Sequence, residues 1–423
     1  MLERADAVVI GSGALGGAMA WHLATAGMHV ALLDQHEIGS QTSPRAAGLS
    51  AQIRPSELMT RLAVRGVEKL LAFTGDTGQP LDVHRSGSLK VARTDAHARQ
   101  VEGEVARGRA YGVPVEMVSA ARAQKLNPFL RAGGHAAYSF CPGDVYLDPA
   151  QLTRGYAAAA AALGCVLLPH TGVEEIVVEG GAVAGVRTAS GTLRAPVVVD
   201  AAGAWLRAVA SAAAAALPML AVRHQLLITA PIAGVEALQP ITRVLDANVY
   251  IRPCDGGLMV GGYEADPLLY DELPSGFAIA DMPLDATVLH RLADRIAGEF
   301  PILREVGRGG VAVAVLRGGL PTMTADDEHL IGPAPGIAGL FVIGGCNVGG
   351  LSTAPAFAEA LTEIIQGRRA PSSLAPLLPE RFAGAAVGAA VLRDACRTHY
   401  AWHYSSEAAR GAALRAHANG PVE

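Results

Sequence analysis

The pattern of apolar and polar positions is clearest in the first 34 residues of the chain. Residues 6–10 form a short apolar run rich in β-branched side chains, which is typical of a buried strand. Apolar residues then recur at helical spacing from Leu15 to Ala26, and Gly27 marks the end of that helix. Residues 28–33 form a second apolar run that ends at Asp34. The pattern therefore predicts strand, helix and strand in direct succession.

Three glycines connect the first predicted strand to the helix. Gly11 permits a sharp turn, Gly13 lets the backbone approach a pyrophosphate, and Gly16 lets the helix pack closely on the strand. The acidic Asp34 follows at the end of the second strand, where a carboxylate accepts hydrogen bonds from ribose hydroxyls. A glycine-rich turn without ligand is the alternative, but the strand–helix–strand context favours a dinucleotide site.

The middle of the chain predicts two further units. Residues 165–195 contain short strands linked by glycine turns, which indicates a β-meander. Residues 248–264 indicate a hairpin, 285–300 a helix and 311–316 an alternating strand. These last three predict a second, antiparallel domain, which we interpret as the substrate platform.

The end of the chain repeats the order of its beginning. Residues 339–343 predict a buried strand, 344–350 a glycine loop and 356–366 a helix. We interpret the loop as a second backbone cradle for the same large cofactor, rather than as a simple turn. Residues 380–423 predict a helical extension with an aromatic cluster between His399 and Tyr404.

A loop of small and polar residues, 39–55, follows the first strand–helix–strand unit and carries Arg45 and Arg54. Arginines are usually solvated at the surface, but these two lie where doubly wound sheets bind their ligands. We therefore favour a role in ligand binding for both.

Composition narrows the function classes. The chain has 423 residues, is 51% hydrophobic and carries a net charge of −5, which gives no reason to expect nucleic acid or an anionic membrane as a partner. Its five cysteines show no CxxC pairing and indicate a reducing compartment without a metal site. The long uncharged stretch 331–358 contains seven glycines and three prolines, so we expect no membrane span and a cytoplasmic protein.

Six ordered segments together resemble the FAD-dependent amine and amino-acid oxidoreductases, the group of D-amino-acid oxidase, glycine oxidase and sarcosine oxidase. The segments are GSGALGG, SPRAAGLSAQIRP, VVDAAGAW, YIRPCDGGLMVGGYE, TADDEHLIGPAP and GGCNVGGLSTAPAFAEAL. The RAAGL loop, RHQLLIT and the tail LRDACRTHYAWHY look most similar to the flavin half of the dimethylglycine and sarcosine dehydrogenases.

The resemblance implies an α/β fold in which a Rossmann-like FAD-binding domain of the glutathione-reductase type is interleaved with an α+β antiparallel-sheet substrate domain. The implied boundaries are residues 1–80, 150–215 and 325–370 for the FAD-binding domain, 81–149 and 216–324 for the substrate domain, and 371–423 for a C-terminal helical extension.

The resemblance also implies the chemistry and the site. A hydride passes from a substrate carbon to the flavin N5, and the resulting imine hydrolyses. Arg54 would bind a substrate carboxylate and Tyr250 would face the same pocket. The implied cofactor contacts are Gly11, Gly13, Gly16 and Asp34 at the ADP half, Arg45, Ala47 and Gly48 along the flavin, Val173 at the adenine, Gly203 and Trp205 beneath the cofactor, and Gly345, Gly349, Gly350 and Leu351 near the isoalloxazine.

The chain departs from the resembled proteins at four positions that matter for chemistry. Arg45 and Leu320 stand where relatives carry a flavin-linked histidine or cysteine, so we expect non-covalent FAD. Ser352 stands where sarcosine oxidase carries a second carboxylate-binding lysine. Met259 stands where sarcosine oxidase carries the lysine that activates oxygen, so we expect slow use of oxygen.

Three functional hypotheses remain at this stage. The first is an enzyme that oxidises the C–N bond of an amino acid or N-alkyl amino acid and passes electrons to oxygen or another acceptor. The second is a flavoprotein subunit that passes electrons to a partner chain. The third, which we favour least, is a flavin-binding scaffold without turnover. The sequence indicates neither the oligomeric state nor the individual substrate.

Overall fold

A parallel sheet at the centre of the protein carries the strand–helix–strand unit predicted from the N-terminus. The computed structural model describes residues 2–134, 137–212, 217–368, 372–384, 387–405, 410–411 and 413–414. The described part of the chain forms nine α-helices: Ala14–Thr25, Glu57–Thr77, Asp95–Ala110, Ala120–Leu126, Pro149–Ala162, Leu206–Ala212, Ala286–Arg295, Gly350–Ile365 and Ala389–Ala401.

The central sheet has six strands. Their order is Leu330–Pro333, Leu340–Gly344, Val197–Asp200, Ala7–Ile10, Val30–Leu33 and Val166–Leu168. All neighbours are parallel except the pair Leu330–Pro333 and Leu340–Gly344, which is antiparallel. The carboxyl ends of the parallel strands therefore meet at one edge, where ligands of such sheets bind.

The strand near residue 166 corrects one sequence expectation. It pairs with Val30–Leu33 in the central sheet and is not part of the β-meander. The meander itself is an antiparallel sheet of three strands, Val173–Glu179, Ala182–Thr188 and Gly191–Arg194. Local pattern could not assign Val166–Leu168 to one sheet or the other, since an apolar run of three residues fits either.

Helices pack against the central sheet because their apolar faces are buried there. The first helix packs against Pro149–Ala162 and Gly350–Ile365. The core between them includes Met19, Phe73 and Phe357, each almost fully buried. Burial of one such side chain contributes about 1.5 to 3 kcal/mol, so this layer holds the glycine turn firmly in place.

An eight-stranded sheet forms the second unit. Its order is Val313–Gly319, His224–Thr229, Gly257–Gly262, Val249–Cys254, Ile241–Val244, Ser88–Ala92, Ala137–Cys141 and Glu116–Met117. One pair, Ile241–Val244 with Ser88–Ala92, is parallel, and the other pairs are antiparallel. The predicted hairpin lies at the middle of this sheet.

Two small sheets connect the units. One contains Leu269–Tyr270, Met219–Val222 and Thr322–Thr324, and the other contains Leu49–Ser50, Val145–Leu147 and Val83–His84. The protein has the predicted α/β fold with an interleaved antiparallel sheet. The finer domain boundaries stay a proposal, and the second small sheet joins strands from both sides of the boundary proposed at residue 80.

Two other predicted boundaries change. The helix predicted at residues 356–366 spans Gly350–Ile365 in the structure, and Pro355 lies within it. The predicted helix 285–300 ends at Arg295. No helix in the described ranges is long and apolar enough to cross a bilayer. The cytoplasmic location stays a prediction.

The C-terminal extension contributes a helix, Ala389–Ala401, which packs against Met219–Val222 and Thr322–Thr324. Its residues Leu392, Cys396 and Tyr400 are buried in that contact. Residues 371, 385–386, 406–409, 412 and 415–423 of the predicted extension lie outside the described residues.

Candidate functional site

The glycine turn lies at the carboxyl end of the first strand, where side chains would not fit. A Cβ at Gly11 would lie 2.6 Å from the carbonyl oxygen of Ala201, and Gly11 has a φ of +94°. A Cβ at Gly16 would lie 1.8 Å from the oxygen of Gly11. Gly16 therefore serves close packing of helix and strand, as the spacing predicts.

The helix that follows begins without a side-chain cap. Gly13 is the N-cap residue of Ala14–Thr25, and it has no side chain to accept from the first N–H groups. The Ala14 N–H donates to the Ser43 hydroxyl at 3.0 Å, which ties the turn to the loop after Gly39. Such an open helix N-terminus favours an anionic group.

Asp34 lies beside this turn. One carboxylate oxygen accepts from the Ser12 N–H at 2.8 Å and from the Ser12 hydroxyl at 2.5 Å, and the other accepts from the His36 N–H at 2.9 Å. A carboxylate has about four lone-pair positions, and the oxygen that accepts only from His36 therefore retains acceptor capacity. Asp34 is thus fixed in position while it borders the cavity.

A cavity of about 800 Å³ connects the turn to the eight-stranded sheet. It takes in most of the residues expected at the site, namely Gly11, Gly13, Asp34, Arg45, Ala47, Gly48, Arg54, Val173, Gly203, Trp205, Tyr250, Gly349, Gly350 and Leu351. Segments far apart in the chain therefore converge on one space. Gly16, Gly345 and Met259 do not line it.

Arg45 uses its guanidinium inside its own loop. The Nη1 group donates to the carbonyl oxygens of Ser40 and Gln41, the latter at 2.6 Å. The same loop continues to Gly48, where a Cβ would lie 2.2 Å from the oxygen of Leu147. Arg45 thus shapes the loop along the cavity.

The late glycine loop borders the cavity from the other side. A Cβ at Gly345 would lie 2.6 Å from the Thr324 side chain, so this glycine serves packing away from the cavity. Asn347 and Val348 both have positive φ values, which are strained for residues with a Cβ. Gly349 is the N-cap of the helix and has no capping side chain. A second open helix N-terminus therefore meets the cavity.

Arg54 lines the same cavity and is held by the first turn of the helix Gly350–Ile365. Its Nη2 group donates to the Ser352 hydroxyl at 3.0 Å, and its Nε atom is buried without a partner. Burial, and then the neighbouring Arg243, lower the pKa of the Arg54 guanidinium. An arginine stays protonated in proteins, so a buried positive charge faces the cavity with a free donor.

Tyr250 is fully buried beside the same cavity, and its hydroxyl is part of a chain of hydrogen bonds. The oxygen lies 2.9 Å from Nε2 of His224, and Nδ1 of His224 lies 2.8 Å from the Tyr400 hydroxyl. Burial raises the pKa of Tyr250 and lowers the pKa of His224 to about 4. Both groups are therefore neutral near pH 7.

Met259 is fully buried and does not reach the cavity. It belongs to a core cluster with Leu226, Ile228 and Tyr250. Ala47 and Leu49 pack against that cluster. The register Arg252–Met259 places residue 259 on the same face as Tyr250, but apolar packing covers it.

Several lining residues escaped the sequence interpretation. Arg243 lies on the strand beside Tyr250, and His329 lines the cavity with both ring nitrogens buried and unpartnered. Burial, then Arg54, lowers the pKa of His329 to about 3. Tyr263 stacks on His403, with ring centroids 4.3 Å apart. The aromatic tail was the available signal, but the sequence did not indicate what the tail contacts.

No group of three or more metal-ligating side chains with suitable geometry occurs within the described ranges. The lining combines arginines, carboxylates, tyrosines and histidines with small and apolar residues. At the Arg54 end, the site offers the positive charge of Arg54 and Arg243 beside the neutral hydroxyl of Tyr250.

Comparison with known proteins gives a consistent result. The profile described as DAO, FAD dependent oxidoreductase, matches residues 6–364. Mitochondrial sarcosine dehydrogenase of Homo sapiens is 32% identical over 376 residues, or 86% of this chain. That alignment spans 40% of the human protein, so the chain covers about two fifths of that relative's length.

Two further relatives match over almost their entire length. Glycine oxidase of Geobacillus kaustophilus is 25% identical over 91% of this chain and 99% of its own length. The crystal structure of L-proline dehydrogenase from P. horikoshii superposes with a TM-score of 0.81 at 23% identity, and covers 92% of this chain and 100% of the other. The chain therefore belongs to the DAO family of FAD-dependent oxidoreductases.

Proposed function

We propose that the protein uses FAD to oxidise the C–N bond of an amino acid or N-alkyl amino acid that carries a free carboxylate. The observation that supports this most directly is the position of Arg54. Its buried, partly unpartnered guanidinium lies in the same cavity as the glycine turn that precedes the first helix. A carboxylate is the group that a desolvated guanidinium binds best.

The residues at the other end of the cavity fit FAD. Gly11 leaves no room for a side chain, the helix after Gly13 has uncapped N–H groups, and Asp34 keeps acceptor capacity. Phosphates favour such N-termini and ribose hydroxyls favour such carboxylates. When bound, FAD supplies two-electron oxidation by accepting a hydride at its N5 position.

The chain's own contribution is to bind and orient the substrate. Arg54 holds the carboxylate, and Ser352 fixes the orientation of Arg54. The neutral Tyr250 hydroxyl, held by His224, offers a hydrogen bond without adding charge beside the reacting amine. The stacked rings of Tyr263 and His403 line the cavity beside them and offer an aromatic surface to the substrate. We assign no side chain as general base.

We infer that FAD is held non-covalently. Arg45, at the position of a flavin-linked histidine in relatives, directs its guanidinium to backbone oxygens of its own loop. Leu320, at the position of a flavin-linked cysteine, has no nucleophilic group. Precipitation with acid should release the yellow colour into the supernatant. Colour that stays in the pellet would contradict this inference and direct attention to Cys346, a thiol that lines the cavity.

We also propose that the electron acceptor is other than oxygen. A cation beside the flavin stabilises superoxide electrostatically, and the buried, apolar Met259 supplies none. A partner chain is one possible acceptor, and a sizing column with native material separates that arrangement from a self-sufficient enzyme. Rapid reoxidation of the reduced protein in air would contradict this proposal.

The test of the function is an anaerobic titration of the FAD-loaded protein. Sarcosine, dimethylglycine, glycine and proline are added in turn, with methylamine as a control that lacks a carboxylate. Loss of the oxidised flavin absorbance with one or more of the acids, and not with methylamine, supports the proposal. Absence of bleaching with every acid in the presence of bound FAD would overturn it.

A further inference from the structure

We propose that Arg243 is a second residue that binds the substrate carboxylate, opposite Arg54. This inference rests on the proposed function, because it assigns a group that the substrate of that reaction must carry. Arg243 lies 189 positions after Arg54 in the sequence, and its role follows from the register of the eight-stranded sheet.

The sheet places Arg243 in one row with other cavity residues. It lies directly opposite Tyr250 on one neighbouring strand and opposite Lys90 on the other. Residues directly opposite each other in a sheet project from the same face. The side chain is 6% exposed, and it lines the cavity together with Arg54, Tyr250 and Lys90.

A glycine in this row leaves room for the ring of Tyr250. Gly261 is the next residue in the row, and a Cβ there would lie 2.2 Å from the Tyr250 hydroxyl oxygen. The ring of Tyr250 therefore lies over the strand at Gly261. This arrangement leaves the cavity in front of Arg243 open on the side of Tyr250.

Arg243 carries a free, buried donor. Its Nη1 atom is buried without a hydrogen-bond partner, as is Nε of Arg54. The other two buried arginines of the described residues are bound within the protein: Arg223 pairs with Glu264, and Arg252 donates to the backbone oxygens of Ala47 and Pro253. Within the described ranges neither Arg54 nor Arg243 forms such an ion pair.

The nearby carboxylate of Asp144 compensates only part of this charge. Asp144 favours the charged forms of both arginines, but its oxygens accept from the Gln52 N–H, the Ser88 hydroxyl and the Cys141 thiol. Arg54 and Arg243 carry two positive charges and Asp144 carries one negative charge. One positive charge in this desolvated space is therefore not compensated. Desolvated charges without a partner are costly, so one carboxylate from a ligand completes the balance.

The C-terminal extension fixes Arg243 from its other side. The Tyr404 side chain hydrogen-bonds to Arg243. The backbone of Tyr404 is held in turn. Its carbonyl oxygen accepts from the Gln100 side-chain amide at 2.8 Å, and its N–H donates to the Asn248 side-chain oxygen at 3.3 Å. Arg243 is therefore oriented by the tail before a ligand arrives, which lowers the entropic cost of binding.

Two arginines at one position favour a substrate carboxylate over a carboxamide. A carboxylate has two oxygens and accepts from both guanidinium groups at once, whereas a carboxamide presents a donor to one of them. We therefore expect acids to bind and the corresponding amides, esters and simple amines to be rejected.

The experiment measures acetate binding to FAD-loaded protein by the change in flavin absorbance, with acetamide as the uncharged probe. FAD is present throughout so that acetate does not bind at the phosphate positions. Arg243→Gln should raise the dissociation constant for acetate at least tenfold and leave acetamide unaffected, and Arg243→Lys should recover part of the loss. Arg107→Gln is the matched control, because Arg107 borders the same cavity but is exposed.

Unchanged acetate affinity in Arg243→Gln would overturn the proposal. So would equal losses in Arg243→Gln and Arg107→Gln, since these would indicate general attraction of anions. Failure of both Arg243 variants to bind FAD would assign Arg243 a structural role and overturn it as well. Failure of the proposed function gives a different result. If Arg243→Gln weakens acetate binding but no acid reduces the flavin, Arg243 is an anion-binding residue and the proposed oxidation is rejected.

Discussion

The two ends of the cavity are built in different ways. The end where we propose that FAD binds, called the cofactor end, consists of continuous stretches such as the turn from Gly11 to Gly16, which offer backbone N–H groups and exclude side chains. The end where we propose that the substrate binds, called the substrate end, consists of single side chains from distant elements, such as Arg54, Arg243 and Tyr404. The first end depends on local backbone shape, and the second depends on how the whole chain folds.

This difference predicts different responses to mutation. At the cofactor end one added methyl group collides with backbone, which cannot move without displacing the sheet. At the substrate end the backbone tolerates change, but removal of a charged or hydrogen-bonding group alters binding. Four predictions follow from this contrast, in decreasing order of effect.

Gly16→Ala should abolish FAD binding. Its Cβ would lie 1.8 Å from the oxygen of Gly11, so the helix must move away from the turn. The measurement is the ratio of flavin to protein absorbance after purification. Gly75→Ala is the control: it lies in the helix Glu57–Thr77 with no atom within 4 Å of the added Cβ, and should retain FAD. Full FAD occupancy in Gly16→Ala would contradict the claim that the glycine turn excludes a side chain at this position.

Arg54→Gln should retain FAD and lose substrate. Loss of a buried charge partner costs about 2 to 5 kcal/mol of binding free energy, and we expect this loss in kcat/KM. Flavin content and steady-state kinetics with the best acid measure the two properties separately. Unchanged kcat/KM would remove Arg54 from the site, and loss of FAD would contradict the separation of the two ends.

Acid should destabilise the protein through two partly buried histidines, His22 in the first helix and His224 beside Tyr250. Burial, then Lys69, lowers the pKa of His22 from 6.5 to about 3, and burial lowers the pKa of His224 from 6.5 to about 4. The unfolded chain then binds protons that the folded chain does not, so the free energy of unfolding falls as the pH decreases below 6.5. Each histidine contributes about 1.4 kcal/mol per pH unit in that window.

Denaturant unfolding at pH 7.5 and pH 5.5, at a fixed FAD concentration, measures this effect. His22→Gln should reduce the difference between the two pH values by about 1.4 kcal/mol. An exposed histidine, His170, provides the control variant His170→Gln. An unchanged pH difference in His22→Gln would show that His22 is protonated equally in both states.

Tyr400→Phe should have the smallest effect. It removes the hydroxyl that lies 2.8 Å from His224 and costs about 0.5 to 1.5 kcal/mol, while the ring continues to fill its buried position. We expect a modest rise in KM for the acid and no change in FAD content. A loss of FAD would show that the tail supports the cofactor end as well.

The sequence predicted the geometry of the glycine turn because its information is local. The spacing of Gly11, Gly13 and Gly16 reports backbone geometry directly, and the structure places these residues in one turn beside Asp34. Gly345, expected near the flavin, does not line the cavity, and a Cβ there would crowd Thr324. A glycine alone does not indicate which of its sides is crowded.

The sequence predicted the substrate end only in part. Arg54 follows the flavin loop closely in the chain, so its position could be expected. Arg243 and Tyr404 meet the cavity through strand register and through docking of the C-terminal helix, which no local pattern reports. The resemblance aligns Met259 with an oxygen-activating lysine, but in the structure Met259 packs in an apolar cluster beside Ala47 and Leu49 and does not line the cavity.

The most direct test of the account compares an acid with its own carboxamide. The best acid from the anaerobic titration and its amide are mixed with FAD-loaded wild-type protein and with Arg54→Gln, and the rate of flavin reduction is recorded for each. The account predicts that the wild type reduces with the acid at least tenfold faster than with the amide, and that Arg54→Gln loses this preference. Equal rates for acid and amide in the wild type would contradict the claim that a carboxylate anchors the substrate in this cavity.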